Sequence, residues 1–356
     1  MSSFLYQRAN CVPVTGPLYL LFNYSCFGLN VMNNLLKSIV FFGFGLIAMT
    51  VPGLSALASK EAPGIRAKFE AEQISDHVYV IHGPKGFPNA MNQGFMNNPV
   101  IISTSEGLVI IDPGSSVQVG RMVLQHAAAI SDQPVVAAFA THIHGDHWLG
   151  NQAITEKYPD AKLYAHPDLI ESAQAGAAET WLDLMNQLTA GATEGTQIVI
   201  PNNPVEDGDN IMIGDVTFEI HHKGKAHTTN DIGIIIAPDN VLVTGDLVFN
   251  RRLGRMDDGS FLGLIETLDH LIGLNPEKVI PGHGQTSDVS IVQAMRDLHH
   301  AIYSTVETEY ESGKSDFEMK DVVVENTMPF QKWDGYKDGI GRLVSLGYLE
   351  VEENEF

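Results

Sequence analysis

Cysteine occurs at only two positions, Cys11 and Cys26, so the chain beyond residue 58 has none. That part has no disulfide, no thiol nucleophile and no thiolate for a metal, and its stability must come from its core and from any ion it holds. Bases are scarce as well: 21 Lys and Arg face 43 Asp and Glu, a formal charge of −22. Affinity for a phosphate backbone comes largely from Lys and Arg, so nucleic acid is not expected as a partner. Acids in turn are missing from the first 58 residues, where Arg8 and Lys37 are the only bases. No low-complexity linker divides the rest, whose balance of apolar and charged residues is that of a globular domain.

Residues 1–58 read as a leader. Lys37 supplies a short basic stretch, Ile39–Val51 a nearly continuous apolar run, and Ala56-Leu57-Ala58 the small residues of a cleavage site. The run is shorter than the roughly 20 residues a membrane-spanning helix needs. The expectation is a signal peptide starting at Met32 and cleaved after Ala58, with residues 1–31 an extension upstream of that start. Residues 59–356 then form one exported domain, periplasmic or secreted, with no stable membrane insertion. No cysteine follows the run to carry a lipid anchor.

From about Ile74 strand-like and helix-like stretches alternate. "HVYVIHG" reads as a strand, Pro99–Gly114 as a hairpin turning near Glu106-Gly107, Val117–Ile130 as a helix, and Val135–Ala140 as a short buried strand. A helix near Trp148–Lys157, a strand Lys162–His166 and a longer helical stretch to about Leu188 follow. A second half repeats the theme, with a hairpin at Asn210–His222, strands in "DIGIIIAP" and "NVLVTGD", a helix at Phe261–Leu274 and a strand opening "KVIPGHG". Helices near Val289–Ser312 and Gly339–Glu352 close the chain. Two such halves predict two mixed β-sheets packed together with helices outside, an α/β fold, with a helical C-terminal part.

The stretch "THIHGDHWLGN", Thr141–Asn151, follows directly on the buried strand and holds three of the chain's 14 histidines. α/β proteins place ligands off the carboxyl ends of strands. His142 and His144 are two apart in an extended segment, so their imidazoles point the same way and can share one ion. Asp146 and His147 come round the turn to a neighbouring position. Zinc accepts histidine nitrogen and aspartate oxygen, so the missing cysteine is no obstacle. Three further strand ends each carry a candidate ligand: His227 in "GKAHTTND", Asp246 in "VLVTGDLVF", and His283 in "IPGHG", whose flanking glycines allow close backbone approach. Of the others, His166 reads as a capping or core histidine. His221 and His222 read as a solvated strand end, one of them with a supporting role as the alternative. His77, His82, His126, His270, His299 and His300 read as structural, and Asp112 in "IIDPG" as a support for the ligands.

In these four stretches and their order the chain resembles the metallo-β-lactamase superfamily, over roughly Ile74 to Gly284 and beyond. The resemblance implies an αββα sandwich with two metal ions between the sheets. His142, His144 and His227 would hold the first ion, Asp146, His147 and His283 the second, and Asp246 would bridge both. It further implies a dinuclear zinc hydrolase, two Zn2+ per chain, whose zinc-bound hydroxide attacks an ester, thioester, lactone or related bond. Asp146 would orient that hydroxide and carry a proton to the leaving group. An aspartate at position 246 is closer to the thioester, lactone and phosphodiester hydrolases than to the classical lactamases, which generally carry another residue there. "HWLGN" together with export looks like the SoxH-like periplasmic hydrolases. Two readings stay open beside this one: hydrolysis of β-lactam amides, and, with iron as the metal, a persulfide dioxygenase.

Two features bear on a small-molecule substrate. "NRRLGR" sets Arg251, Arg252 and Arg255 just after Asp246, and guanidinium forks bind carboxylates, phosphates and sulfates. Arg251 or Arg252 pairing with an anionic substrate group is one expectation; internal pairing with Asp257 or Asp258 is the other. "GFPNAMNQGFMNNP", Gly86–Pro99, sets Phe87, Met91, Phe95 and Met96 among Gly, Pro and Asn, as an apolar flap over the site or as packing on the sandwich.

Overall fold

The computed structural model describes residues 61–355; the expected signal peptide and both cysteines lie outside the described residues. The first sheet contains β1 (Ala71–Gln73), β2 (Val78–Ile81), β3 (Val100–Thr104), β4 (Gly107–Ile111), β5 (Val135–Phe139), β6 (Lys162–Ala165) and β7 (Asn203–Pro204), paired in that spatial order. The first four are antiparallel, and from β4 onward neighbours run parallel. The second sheet is ordered β12-β11-β10-β9-β8, with β8 (Asn210–Ile213), β9 (Val216–His221), β10 (Gly233–Ala237), β11 (Val241–Val243) and β12 (Lys278–Ile280). Here only β11 and β12 are parallel.

The helices follow from local sequence. Helix α1 (Val117–Ile130) starts where the Ser116 side chain accepts a hydrogen bond from Val119 N, and it ends where Ser131 becomes extended. After β5 come the single turn α2 (Gly145–Trp148) and α3 (Asn151–Lys157), then α4 (Pro167–Ser172) and α5 (Ala178–Leu188). Gly176, at φ 111°, opens a wide turn between α4 and α5 that no other residue type adopts as cheaply. The second half adds α6 (Phe261–Gly273), α7 (Ser290–Glu311), α8 (Asp316–Asn326) and α9 (Tyr336–Asn354).

Alternation along the strands sets the layers. Val216, Phe218 and Ile220 of β9 face Val109, Ile111 and Phe139 of the first sheet in one apolar layer between the sheets. The other face of the first sheet, Leu108 and Ile110 included, packs on α1 and α3. The other face of the second, with Leu242 and Val279, packs on α6, α7 and α9. β4 is therefore buried on both faces and reads as a continuous apolar run. The result is an αββα sandwich. Among the described residues no helix is long and apolar enough to cross a membrane.

Candidate metal centre

The parallel pairs of strands aim the ligands. Ile111 of β4 lies opposite Phe139 of β5, so Asp112 and Thr141 leave the sheet side by side. Asp112 Oδ1 accepts from Thr141 N at 2.8 Å, and Oδ2 accepts from the Thr141 hydroxyl at 2.8 Å. The chain held in this way turns through α2 and presents His142, His144, Asp146 and His147 inward. In the second sheet Val243 lies opposite Ile280, so Asp246 and His283 also emerge from adjacent parallel strand ends. Gly282 is needed there: a Cβ would collide with Asp246 Oδ1 and with the Gly245 backbone. His227 sits in the β9–β10 loop, which Thr228 and Asp231 fold on itself. Asn230 Oδ1 accepts from Ile143 N at 2.9 Å and so fixes that loop to the first ligand stretch.

All seven expected ligands come together in two groups: His142, His144, His227 and Asp246, and beside them Asp146, His147 and His283. His144 Nδ1 lies 3.1 Å from His227 Nε2. Asp246 Oδ2 lies 3.8 Å from His142 Nε2 and 3.6 Å from His227 Nε2. Its other oxygen lies 3.2 Å from both His147 Nε2 and His283 Nε2. Asp146 Oδ2 is 3.5 Å from His147 Nε2 and 3.3 Å from His283 Nε2. Tetrahedral bonds of ~2.0–2.1 Å set ligand atoms about 3.3 Å apart. Each group therefore has the spacing of one coordination shell, with one oxygen of Asp246 on each side.

The residues fit metal by a second criterion. His142 Nε2, His147 Nε2 and Asp246 Oδ1 are buried without a hydrogen bond of acceptable geometry, although close to one another. Such groups are costly unless something satisfies them, and a divalent cation in each ligand group would satisfy them. The outward ring nitrogens of four of the five histidines are engaged elsewhere, while His227 Nδ1 is buried without a partner. His147 Nδ1 donates to Asp112 Oδ2 at 2.7 Å, His283 Nδ1 to the Met96 carbonyl at 2.8 Å, His142 Nδ1 to the Thr141 hydroxyl at 3.1 Å, and His144 Nε2 to Asp258 Oδ2 at 3.1 Å. Each of these bonds leaves the inward nitrogen with its lone pair free. Asp112 thus has the supporting place expected of it. The supporting parts of Asp258 and Asn230 were not expected: Asp258 was weighed only as a partner for the arginines, and Asn230, inside the His227 stretch, reaches Ile143 from far along the chain.

Protons and metal compete for this site. Burial holds His142 well below its ordinary value, and neighbouring His147 and His144 add to that. Burial and His144 bring His227 to about 3. For His147 and His283 burial acts in the same direction, but Asp246 and Asp146 outweigh it and leave both raised. Burial would raise Asp146, yet His147 and His283 bring it down to about 2. Metal-free, the two carboxylates are balanced by protons on His147 and His283. A metal ion must displace those protons, so its affinity falls as pH drops.

The cluster forms the floor of a cleft of 480 Å³. Arg252 lines it, its guanidinium 5.0 Å over the Phe87 ring and 6.0 Å from the Phe249 ring. Arg251 does not: at φ 57° its backbone is left-handed, and its side chain joins Phe330 and Trp333 around a separate cavity. Of the two arginines expected to meet a substrate anion, Arg252 is the one at this cleft. Arg255 donates to Asp257 at 2.8 Å, the internal pairing considered from sequence. The Gly86–Pro99 stretch divides: Phe87 and Met91 are exposed, while Phe95 and Met96 are buried. His166 caps α4, and its ring stacks on His222. His222 Nδ1 lies 2.8 Å from the Asp231 carbonyl, in the loop that holds His227.

The family model of the metallo-beta-lactamase superfamily matches residues 92–283, a span that contains every one of these ligands. The chain belongs to the metallo-beta-lactamase superfamily. Two relatives of it are a metallo-beta-lactamase type 2 from Bacillus sp. (strain 170), 22% identical over 64% of this chain and 80% of its own, and hydroxyacylglutathione hydrolase 2 from Vibrio vulnificus (strain YJ016), 24% identical over 58% and 70%. Among solved structures, a stereoselective inverting sec-alkylsulfatase from Pseudomonas sp. superposes with a TM-score of 0.63 at 17% identity, over 79% of this chain and 50% of its own. That likeness speaks to the fold. With the superfamily's seven-residue histidine and aspartate set in place, the chain is a metal-dependent hydrolase with a dinuclear site.

Proposed function

We propose that the chain is an exported dinuclear zinc hydrolase acting on an ester, thioester or lactone, akin to the SoxH-like periplasmic members of the superfamily. The observation that carries this reading is the Asp246 carboxylate, one oxygen on each ligand group. Zinc suits a set of nitrogen and oxygen donors at tetrahedral spacing. Export rests on the leader-like residues 1–58, which lie outside the described residues.

Two divalent ions, held by His142, His144 and His227 and by Asp146, His147 and His283 with Asp246 between them, would supply Lewis acidity for a carbonyl and a water of lowered pKa. The protein's part is positional and protonic. Asp146 Oδ2 is turned to His147 and His283, which leaves Oδ1 to accept a hydrogen bond from the attacking water. From there the carboxylate would take the proton released by that water and return it to the leaving group, acting first as general base and then as general acid. Trp181, 4.6 Å from the His144 ring, and Phe249, stacked on His283, limit water at the reacting bond. Arg252 is the group that receives an anionic part of the substrate.

The test is a substrate panel with the zinc-loaded protein: an acyl thioester, a lactone, an aryl ester and nitrocefin, each with and without chelator. The expected result is chelator-sensitive kcat/KM of about 10³ M⁻¹s⁻¹ or more on one of the first three, with nitrocefin at least about 100-fold lower. Nitrocefin at about 10⁴ M⁻¹s⁻¹ would replace this reading with β-lactam hydrolysis. Iron in the purified protein, with oxygen uptake on a glutathione persulfide, would replace it with the dioxygenase.

A further inference from the structure

The walls of the cleft divide by chemistry. Around the ligands stand Trp181 and Phe249, each packed against a ligand ring. Outward from them, Leu184 and Leu188 of α5 and Phe87 of the opposite loop continue the lining. Phe87 is 60% exposed and Leu188 46% exposed, so large apolar side chains are uncovered at the cleft's own wall. A sugar or a peptide would find few hydrogen-bond partners along these residues, and burying its polar groups here would be costly. A hydrocarbon chain incurs no such penalty and removes these side chains from water.

The charge in the cleft is equally selective. Of its two guanidinium groups, Arg255 is bound to Asp257, whereas Arg252 has no acidic partner among the described residues. Arg252 lies between the rings of Phe249, near the ligands, and Phe87, farther out. The rest of the chain is strongly acidic and repels anions. An unpaired guanidinium on an apolar wall therefore sets a local preference the molecule as a whole does not have.

We propose that the cleft takes a single-chain anionic amphiphile. Its negative group meets Arg252, its unbranched tail runs along Trp181, Leu184, Leu188 and Phe87, and its hydrolysable bond lies over the ligands. The last clause rests on the hydrolase reading; the seat for tail and anion does not.

The experiment separates the two by measuring binding without turnover. Hexanesulfonate and decanesulfonate, whose carbon–sulfur bond is not hydrolysed, are titrated into the zinc-loaded protein below their micelle concentrations, with tryptophan fluorescence as the signal and Trp181→Phe as the control that removes it. Each fully buried methylene contributes up to about fourfold in affinity. The expected result is decanesulfonate binding at least tenfold tighter than hexanesulfonate, and at least tenfold tighter than neutral decanol. Arg252→Gln weakens both sulfonates by about tenfold, and Leu184→Asn with Leu188→Asn brings the chain-length ratio below about threefold. Equal affinity for the two sulfonates, or sulfonate binding indifferent to Arg252→Gln, overturns the proposal. Chain-length-dependent binding without chelator-sensitive turnover of any ester would uphold the seat and strike the hydrolase reading alone. Turnover with flat chain-length dependence would do the reverse.

Discussion

The carboxylate of Asp112 holds three groups at once: the Thr141 amide, the Thr141 hydroxyl and His147 Nδ1. Through that hydroxyl it also orients His142, so one buried residue sets the rings of a ligand in each group. Asp112→Ala is expected to weaken metal binding about 10–100-fold in competition with a chromophoric chelator, with the far-ultraviolet circular dichroism unchanged. Unchanged metal affinity would remove Asp112 from the account. Gly282→Ala is expected to push Asp246 off its position, and metal analysis should find fewer ions per chain than in the parent. At this scale the sequence was most legible, because every ligand stands in a compact stretch after an apolar strand. Asp258 was not legible, since it meets His144 across 114 residues of chain. Nor was the parting of Arg251 from Arg252, which follows from a left-handed residue that no neighbouring glycine announces.

Among the elements, those with a strong periodicity matched their expected bounds. Helix α1 covers Val117–Ile130, and the strands that deliver ligands end within a residue or two of the expected positions. Strand β1 was not anticipated: three residues, mostly exposed, carry no alternation to read. The expected single helix up to Leu188 is two helices around the Gly176 turn, and the expected helix Trp148–Lys157 begins only at Asn151 after the separate turn of α2. Helix α8 buries only Met319 and Val323, too few apolar contacts to form a stripe.

Helix α7 carries a titration of its own. His299 is buried against Phe261, its Nδ1 donates to the Met295 carbonyl, and Nε2 has no partner. Burial brings it to about 4. Because this folded value lies below the unfolded one of ~6.5, the contribution to stability is intact above pH 6.5 and is lost as pH falls towards 4. Urea unfolding at pH 7 and pH 5 should show a loss about 2 kcal/mol larger in the parent than in His299→Leu. Equal losses would mean that the imidazole is not titrating as its burial requires.

For the whole molecule, the layering was legible because both halves spell out sheet and helix in the same order, and because β4 is a continuous apolar run of the kind a strand covered on both faces carries. The metal centre joins the strand ends of both sheets, so it belongs to the stability of the domain as well as to its chemistry. Each ion present at about 1,000 times its dissociation constant adds about 4 kcal/mol. Chelation is expected to lower Tm by roughly 10 °C or more in scanning calorimetry. A Tm indifferent to chelator would mean that the folded chain gains nothing from the ions.

The most direct measurement is metal content per chain, by inductively coupled plasma mass spectrometry, after zinc saturation and gel filtration of the parent and of Asp246→Asn. A carboxylate with one oxygen on each ligand group predicts two ions in the parent and one or fewer in the variant. One ion or none in the saturated parent, or two retained by Asp246→Asn, would contradict the dinuclear site and the hydrolase reading built on it.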